Sequence, residues 1–274
     1  MRIGIIGYGS MGKMLLNKFD EAGKDGLLVA NRTPEKLLDL KPSIKVCSSN
    51  AELASETDIV FICVRPVDIT GVLEEIRDVI KPETILVSLN GSVSFEAIGG
   101  LVRAKTAKVI PSVTSEINRS QTLVCFNDLM ESKDQEALKD LLTCVGDVIV
   151  LPESEMGMGS ELVSCMPGFI ASIFDVICNE ARKHTSIPPE QIVSMVLNTM
   201  SATGDLMLQK DMTFGQVVER VATKGGITEE GTRVVYDRFP SVADELFLKT
   251  LAKRQLTAEK AALTMLKTPE NPEK

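Results

Sequence analysis

The sequence predicts an α/β domain followed by an all-α domain. In the first half of the chain, short runs rich in β-branched residues alternate with helical patterns, which is typical of a parallel sheet with crossover helices. After Pro152 these runs stop, and helical periodicity continues to about Lys267. The length of 274 residues favours about two domains. We therefore predict domains at residues 1–152 and 153–267, with a flexible tail at residues 268–274.

Eight strands and several helices are predicted in order. The strand candidates are Ile3-Ile6, Leu27-Asn31, Ile44-Cys47, Asp58-Val64, Thr84-Leu89, Lys108-Pro111, Thr122-Phe126 and Val148-Leu151. Thr33, Ser49 and Ser94 are predicted to cap the helices that follow them. The second half predicts helices over Glu153-Lys183, Pro189-Lys210, Phe214-Thr223, Thr228-Arg238 and Ser241-Lys267. Apolar residues nearly encircle the first of these, so we expect it to be buried, either between subunits or inside one subunit's bundle.

Composition and charge exclude several classes of partner. The net charge of −8 argues against binding nucleic acid, which needs clustered Lys and Arg. No basic segment precedes the first apolar run at Ile3, and the apolar runs look too short to cross a bilayer, so we expect a cytoplasmic protein without a membrane partner. The six cysteines are scattered and the single histidine, His184, follows a helical pattern, so we predict reduced structural thiols and no metal site.

A glycine-rich turn follows the first predicted strand. Gly7-x-Gly9-x-x-Gly12 lies between an apolar strand and a helical run, with Tyr8, Ser10 and Met11 at its other positions. Gly7 suits a tight turn, Gly9 lets the backbone approach a pyrophosphate, and Gly12 allows close packing of helix on strand. The turn therefore predicts a Rossmann domain that binds a nicotinamide dinucleotide.

The end of the second predicted strand indicates which dinucleotide binds. An NAD site usually offers Asp or Glu there for the ribose 2′-hydroxyl, whereas this chain has Asn31-Arg32-Thr33. A guanidinium flanked by an amide and a hydroxyl can bind a 2′-phosphate, so we predict NADPH rather than NADH. The alternative is that Thr33 only caps a helix and Arg32 is solvated.

Two further segments fall where open α/β sheets bind ligands. Val64-Arg65-Pro66 ends the fourth predicted strand, and its backbone either lines the cofactor or forms a plain strand-to-helix turn. Asn90-Gly91 follows the next strand and is either a turn or an amide close to the nicotinamide.

The segment from Thr223 to Gly231 is the candidate substrate site. Gly225 and Gly226 free the backbone before a predicted helix, so their amides could hold a small carboxylate while the Thr228 hydroxyl bonds a reacting atom. The alternative is a simple glycine turn with Thr228 as the helix cap.

These motifs together resemble the pyrroline-5-carboxylate reductases. The resemblance covers most of the chain, including Gly7-x-Gly9-x-Met11-Gly12, Asn31-Arg32, Val64-Arg65-Pro66 and Gly225-Gly226-x-Thr228-x-x-Gly231. It implies a Rossmann domain, a helical domain that interlocks two subunits, and reduction of a cyclic imine carboxylate to proline with NAD(P)H. We therefore expect a homodimer or larger homo-oligomer that forms through the C-terminal helices. It also implies that Thr223, Gly226 and Thr228 contact the substrate, with Thr228 in the catalytic role, and that Asn50 contacts the adenosine side of the cofactor.

Several positions depart from the family pattern. Ser112 and Thr114 follow the sixth strand where the family usually has Met-Pro-Asn-x-Pro, and Cys165 and Met166 replace small residues on the long helix. Glu229 and Glu230 add negative charge beside the expected carboxylate site. These changes resemble the divergent branch found beside late-competence operons. The alternatives are therefore an NADPH-binding regulatory protein without turnover, or a β-hydroxyacid dehydrogenase, whose catalytic lysine would fall on Val163.

Overall fold

The chain divides into two compact units. The computed structural model describes residues 1–266, with side chains through residue 263. Of the described residues, one unit contains Met1–Pro167 and residues 251–266, and the other contains Gly168–Thr250. The last part of the chain thus belongs with the first unit, whereas the sequence places residues 153–267 in one helical domain. The tail predicted at residues 268–274 lies outside the described residues.

The first unit is built on one eight-stranded sheet. The strand order β3-β2-β1-β4-β5-β6-β7-β8 begins as in a doubly wound dinucleotide-binding fold. The strands are β1 (Ile3–Ile6), β2 (Leu27–Ala30), β3 (Lys45–Val46), β4 (Ile59–Ile62), β5 (Ile85–Ser88), β6 (Lys105–Ile110), β7 (Ser120–Phe126) and β8 (Gly146–Val150). All eight predicted strands are present. This confirms the α/β class, with small shifts at the strand ends.

One strand pair departs from the predicted parallel arrangement. β6 and β7 pair antiparallel, with Val109 opposite Val124, while the other neighbouring strands pair parallel. Only the stretch from Pro111 to Arg119 joins the two strands. A parallel crossover needs about a dozen residues or more, so the chain can only turn back on itself.

Helices cover both faces of the sheet. Those of the first unit are α1 (Ser10–Glu21), α2 (Asn50–Glu56), α3 (Ile69–Ile76), α4 (Phe95–Gly99), α5 (Ser132–Leu142) and α6 (Met156–Ser160). On one face Phe19 of α1 packs against Phe61 of β4 with ring centroids 5.3 Å apart. On the other, Leu53 of α2 and Leu73 of α3 are fully buried. Burial of both faces explains why the strands read as continuous apolar runs.

Two of the three predicted caps are confirmed. The hydroxyls of Ser49 and Ser94 accept hydrogen bonds from the backbone N–H groups of Glu52 and Ala97, at the starts of α2 and α4. The prediction for Thr33 is wrong, because its side chain makes no capping bond and the segment after it is only a 3₁₀ turn, Pro34–Leu37.

The long apolar segment Glu153–His184 is helical throughout. It contains a 3₁₀ turn, α6, a π-turn (Glu161–Cys165), α7 (Met166–Ala181) and a final 3₁₀ turn that ends at His184. The alternative that it is buried inside one subunit is wrong for α7, whose only buried side chain in the single chain is Cys178, and the favoured burial between subunits stays a prediction. The prediction that the apolar runs are too short to cross a bilayer is also wrong, because this helix is long and apolar enough to cross a membrane. One such helix is weak evidence for a membrane, since helices of soluble proteins meet the same criterion.

The second unit is helical. Besides most of α7 it contains α8 (Pro189–Lys210), α9 (Phe214–Val221) and most of α10 (Ile227–Leu266). The prediction of two helices separated near Pro240 is wrong, because α10 runs through this proline. A proline inside a helix removes one backbone hydrogen bond, at a cost of about 3 kcal/mol, and the helix continues on both sides of Pro240 despite this.

The second unit has almost no apolar core of its own. Across residues 168–250, all of which are described, the buried hydrophobic side chains are Cys178 and Ile192. Large apolar side chains such as Val176, Phe214 and Tyr236 are more than half exposed. A surface with this much exposed apolar area is typical of a subunit interface.

Candidate cofactor and substrate sites

Two glycines of the first loop are required by the packing of the loop itself. Gly7 has a φ of +96°, and a Cβ there would lie 2.8 Å from the carbonyl oxygen of Cys63. A Cβ on Gly12 would lie 2.0 Å from the carbonyl oxygen of Gly7. The tight turn and the close helix–strand packing predicted for these glycines are therefore confirmed.

The third glycine leaves space that the protein itself does not fill. No heavy atom lies within 4 Å of where a Cβ on Gly9 would be. Gly9 is the N-cap residue of α1 and has no side chain that could bond the first N–H groups of the helix. Ser10 is exposed beside it, and Met11 is half-buried. The first N–H groups of a helix lack partners inside the helix and attract anions. This open turn fits a dinucleotide pyrophosphate.

Asn31 braces the glycine loop against the loop after β2. Its Oδ1 accepts a hydrogen bond of 2.9 Å from the backbone N–H of Tyr8, and its Nδ2 donates one of 2.9 Å to the carbonyl oxygen of Thr33. The sequence predicted a cofactor contact for Asn31 and missed this structural role. An asparagine at a strand end carries no signal that would distinguish the two.

The two strands that flank β1 in the sheet each lead to an arginine. Arg32 follows β2 and Arg65 follows β4, and these strands flank β1 in the sheet. The Arg32 side chain is 84% exposed, with its Nη1 3.8 Å from a carboxylate oxygen of Asp68. Arg65 donates from Nε to Oδ2 of Asp68 at 2.8 Å and from Nη2 to Oδ1 at 3.4 Å, and Oδ1 is the oxygen near Arg32. Sequence reasoning did not single out Asp68, because the surface has several pairs of opposite charges three residues apart.

The Val64-Arg65-Pro66 segment also forms a strand-to-helix turn. Pro66 starts a 3₁₀ turn, Pro66–Asp68, and Arg65 is the residue before it. The hydrogen bond to Asp68 and the nearby negative charge raise the pKa of Arg65. The same hydrogen bond and the charges of Arg65 and Arg32 lower the pKa of Asp68, while burial acts in the opposite sense.

Two asparagines stand at helix and strand ends of the same unit. Asn50 is the first residue of α2, and its Nδ2 donates to a carboxylate oxygen of Glu75 at 2.7 Å. Asn90 is buried after β5, and its Oδ1 accepts from the backbone N–H of Ser92 at 3.2 Å. The Nδ2 of Asn90 has no hydrogen-bond partner among the described residues. Asn90 therefore forms the predicted turn, and its unused amide also fits a cofactor group.

The candidate substrate segment is a tight turn before α10. Gly225 has a φ of +75°, and the Gly226 N–H donates to the carbonyl oxygen of Thr223 at 2.8 Å. A Cβ on Gly226 would lie 2.6 Å from the Thr223 hydroxyl oxygen, so the turn needs a glycine there. Because α10 begins at Ile227, Thr228 lies inside the first helical turn, and its interpretation as the helix cap is wrong. Thr223 and Thr228 are both exposed on the single chain.

The side chain of Glu229 is bonded to one of the backbone N–H groups that the sequence predicted to hold a substrate carboxylate. Its Oε2 accepts a hydrogen bond of 2.6 Å from the backbone N–H of Gly225. The neighbouring Glu230 pairs with Arg233 at 3.3 Å instead. A carboxylate of the chain itself thus binds where the sequence predicted a substrate carboxylate.

Four of the positions that depart from the family pattern, Ser112, Thr114, Cys165 and Met166, lie in the first unit. Ser112 is buried, donates from its N–H to the Ser120 hydroxyl at 3.1 Å, and accepts at 3.5 Å from the N–H of Thr114. Cys165 ends the π-turn, just before Met166. Burial raises the pKa of the Cys165 thiol, and the charge of Glu161 raises it further.

A buried ion pair in the π-turn was missed by sequence reasoning. Arg254 bonds one oxygen of Glu161, from Nε at 3.1 Å and from Nη2 at 2.7 Å, and Nη2 also reaches the Ser160 hydroxyl at 3.0 Å. Glu161 is 1% exposed, and its Oε2 has no hydrogen-bond partner among the described residues. A glutamate inside a long apolar helix was the available signal for this pair.

Metal ligands are not clustered in the described part of the chain. No group of three or more His, Cys, Asp or Glu side chains there is placed to hold a metal ion. The six cysteines are free thiols, as predicted.

The sheet order, the open glycine turn and the guanidiniums beside it define a dinucleotide-binding oxidoreductase fold. Residues 2–91 match the family described as NADP oxidoreductase, coenzyme F420-dependent, and residues 153–256 match pyrroline-5-carboxylate reductase dimerisation. Pyrroline-5-carboxylate reductase 3 of Bacillus subtilis (strain 168) is 32% identical, over 94% of this chain and 97% of that protein. The chain belongs to the pyrroline-5-carboxylate reductase family.

Two further similarities extend over nearly the whole chain. ComE operon protein 4 of Bacillus subtilis (strain 168) is 29% identical, over 92% of this chain and 95% of that protein. A crystal structure of Plasmodium falciparum pyrroline carboxylate reductase with NADP bound has a TM-score of 0.80 and 20% identity. The similarity covers 97% of this chain and 98% of the Plasmodium falciparum chain. The 32% identity with the Bacillus subtilis reductase confirms the predicted family, and the crystal structure shows the same fold. Placement in the late-competence branch stays a prediction.

Proposed function

We propose that this protein reduces the C=N bond of pyrroline-5-carboxylate, or of a close analogue, to give proline with NADPH as reductant. The open turn at Gly9 carries the proposal, because it leaves space for a pyrophosphate within a family of such reductases. A crystal structure of a relative that contains NADP supports the cofactor. The site residues below follow from the resemblance and from the local geometry of each unit.

The first unit supplies the cofactor contacts in this proposal. The loop residues Gly7, Tyr8, Gly9, Ser10, Met11 and Gly12 surround the pyrophosphate, and Asn31, Arg32 and Thr33 meet the adenosine ribose and its 2′-phosphate. The side chains or backbone of Asn50, Val64, Arg65, Pro66 and Asn90 contact other parts of the cofactor. When bound, the reduced nicotinamide supplies a hydride.

The second unit supplies the substrate contacts. Thr223, Gly225 and Gly226 hold the substrate carboxylate, and the Thr228 hydroxyl forms a hydrogen bond at the imine nitrogen. A protonated imine already carries the positive charge that makes its carbon a hydride acceptor, so the residues mainly have to position it. No histidine acid is needed for this step.

Loss of the Thr228 hydroxyl tests the substrate site. Thr228→Ala should lower kcat/KM for pyrroline-5-carboxylate by about tenfold or more, because a hydrogen bond to the reacting group is lost. NADPH affinity, measured by its fluorescence on binding, should stay unchanged. Thr250→Ala, on the same helix but bonded only to the carbonyl oxygen of Phe247, is the matched control and should keep full activity. Equal activity of Thr228→Ala and the control would contradict the proposed role.

A second candidate function is an NADPH-binding regulatory protein without turnover. The bond from Gly225 to the carboxylate of Glu229 favours it, because the chain fills an amide that a substrate would need. Purified protein that binds NADPH but leaves it unoxidised with pyrroline-5-carboxylate and other cyclic imines would support this candidate and contradict the first.

The protein also acts, in this proposal, as a homodimer or larger homo-oligomer in the cytoplasm. The exposed apolar side chains of α7 to α10 and the match of residues 153–256 to a dimerisation family support assembly through these helices. Light scattering on the purified protein should give a mass of at least two chains. Val176→Glu, at an exposed apolar position of α7, should shift this mass toward one chain.

A further inference from the structure

Asp68 lies where a 3₁₀ turn runs directly into a helix. It is the last residue of the turn Pro66–Asp68 and is followed at once by α3, where a carboxylate could accept hydrogen bonds from backbone N–H groups of the helix. Its carboxylate makes no such hydrogen bond. It contacts Arg65 and Arg32 instead. The polar contacts of this carboxylate are therefore with the two arginines.

These contacts join two loops that are far apart in sequence. Arg32 belongs to the loop after β2, and Arg65 belongs to the loop after β4, so one carboxylate holds both at the same edge of the sheet. The Arg32 and Arg65 side chains are 84% and 71% exposed, whereas that of Asp68 is 29% exposed. The guanidiniums can thus meet a ligand while the carboxylate stays behind them. Two guanidiniums and one carboxylate leave the cluster with a net positive charge.

We propose that Asp68 is a positioning residue that holds Arg32 and Arg65 as one cationic site for the 2′-phosphate of NADPH, and so determines the preference over NADH. Fixing both guanidiniums before binding removes part of the entropy lost when flexible arginines bind a phosphate. The bonds to Asp68 use Nε and Nη2 of Arg65, so its Nη1 group remains for the phosphate. This inference rests on the proposed use of NADPH and on no part of the imine chemistry.

The opposite chemistry is also possible for a carboxylate at this edge. An exposed Asp can accept hydrogen bonds from ribose hydroxyls and repel a 2′-phosphate, as the acidic residue of an NAD site does. The two roles predict opposite effects of neutralising Asp68. In the first, loss of the charge weakens binding of a 2′-phosphate, and in the second it strengthens it.

The test compares two adenosine ligands that lack the nicotinamide. Calorimetry gives the affinity of the full-length protein for adenosine 2′,5′-bisphosphate and for ADP. We expect Arg65→Gln to weaken binding of the bisphosphate by about tenfold and Asp68→Asn to weaken it by about threefold, while the affinity for ADP changes little. In the Arg65→Gln background, Asp68→Asn should have a smaller effect, because the residue acts through Arg65.

Matched controls come from the other end of α3. Arg77 and Asp78 form an exposed pair with 3.5 Å between Nε and the carboxylate oxygen. Arg77→Gln and Asp78→Asn should leave the affinities for both ligands unchanged. Unchanged or tighter bisphosphate binding by Asp68→Asn overturns the inference and leaves the proposed reductase activity intact. A wild-type protein with no preference for the bisphosphate over ADP overturns the assignment of NADPH itself.

Discussion

The glycine turn of the first unit and the glycine turn of the second unit differ in what constrains them. Gly7 and Gly12 are enclosed by atoms of the loops that follow β1 and β4, and Gly9 opens onto free space. In the second unit, Gly225 is constrained by its own φ and Gly226 by its neighbour Thr223, while Thr223 and Thr228 remain exposed. The cofactor turn is therefore complete within one folded unit. The substrate turn is preformed as backbone, but nothing within its own unit covers it.

The largest expected effect is at the most enclosed glycine. Gly12→Ala places a methyl group 2.0 Å from a carbonyl oxygen, so α1 must move away from the sheet. We expect the free energy of unfolding to fall by about 4 kcal/mol and NADPH binding to be lost. Gly71→Ala, on the exposed face of α3 with no atom within 4 Å, is the control and should stabilise the protein by about 1 kcal/mol. Urea denaturation measures both, and equal stability of the two variants would refute this account.

The neighbouring glycine should separate binding from folding. Gly9→Ala adds a methyl group where no protein atom lies within 4 Å, so its urea midpoint should match the wild type. The same methyl group enters the space proposed for the pyrophosphate, and NADPH affinity should fall by about tenfold or more. Fluorescence titration measures the affinity. Full affinity in this variant would place the pyrophosphate elsewhere.

In the substrate turn, the carboxylate of Glu229 should compete with the substrate. Glu229→Ala frees the N–H of Gly225 and removes a negative charge, so KM for pyrroline-5-carboxylate should fall by about threefold. Glu230→Ala is the matched control, because this side chain pairs with Arg233 and should change KM less. If the Glu229 variant instead raised KM, its carboxylate would be helping to form the site.

The smallest expected effect is the backbone strain at Gly225. With a φ of +75°, Gly225→Ala should lower the free energy of unfolding by about 1 kcal/mol, since no neighbouring atom opposes the methyl group. Gly231→Ala, inside α10 and also without neighbours within 4 Å, should be stabilising instead. Thermal unfolding of the two variants gives the comparison, and a stable Gly225→Ala would show that the turn tolerates a different φ.

The features predicted from sequence are those that depend on neighbouring residues. All eight strands, the caps at Ser49 and Ser94, and the roles of Gly7 and Gly12 follow from local patterns of apolar residues, hydroxyls and glycines. The continuous α10 was not predicted, because a proline usually marks a helix boundary, whereas here helical turns continue on both sides of it.

The features that were missed depend on contacts between distant residues. Glu161 and Arg254 are separated by 93 positions, and Asn31 reaches a backbone N–H 23 positions away. The pattern around each residue contains no information about its partner. Asp68 was missed for a different reason, since Arg65 is only three positions away but the chain has several such pairs on its surface.

The brace formed by Asn31 restricts how relatives of this protein can change their cofactor. An NADH-dependent descendant would need a carboxylate near the end of β2. Asn31→Asp keeps the acceptor for Tyr8 but loses the donor to Thr33, so a change of coenzyme there also loosens the loop. Replacing Arg32 leaves both hydrogen bonds in place. Evolution toward NADH, or its engineering, therefore has a less disruptive route through residue 32 than through residue 31.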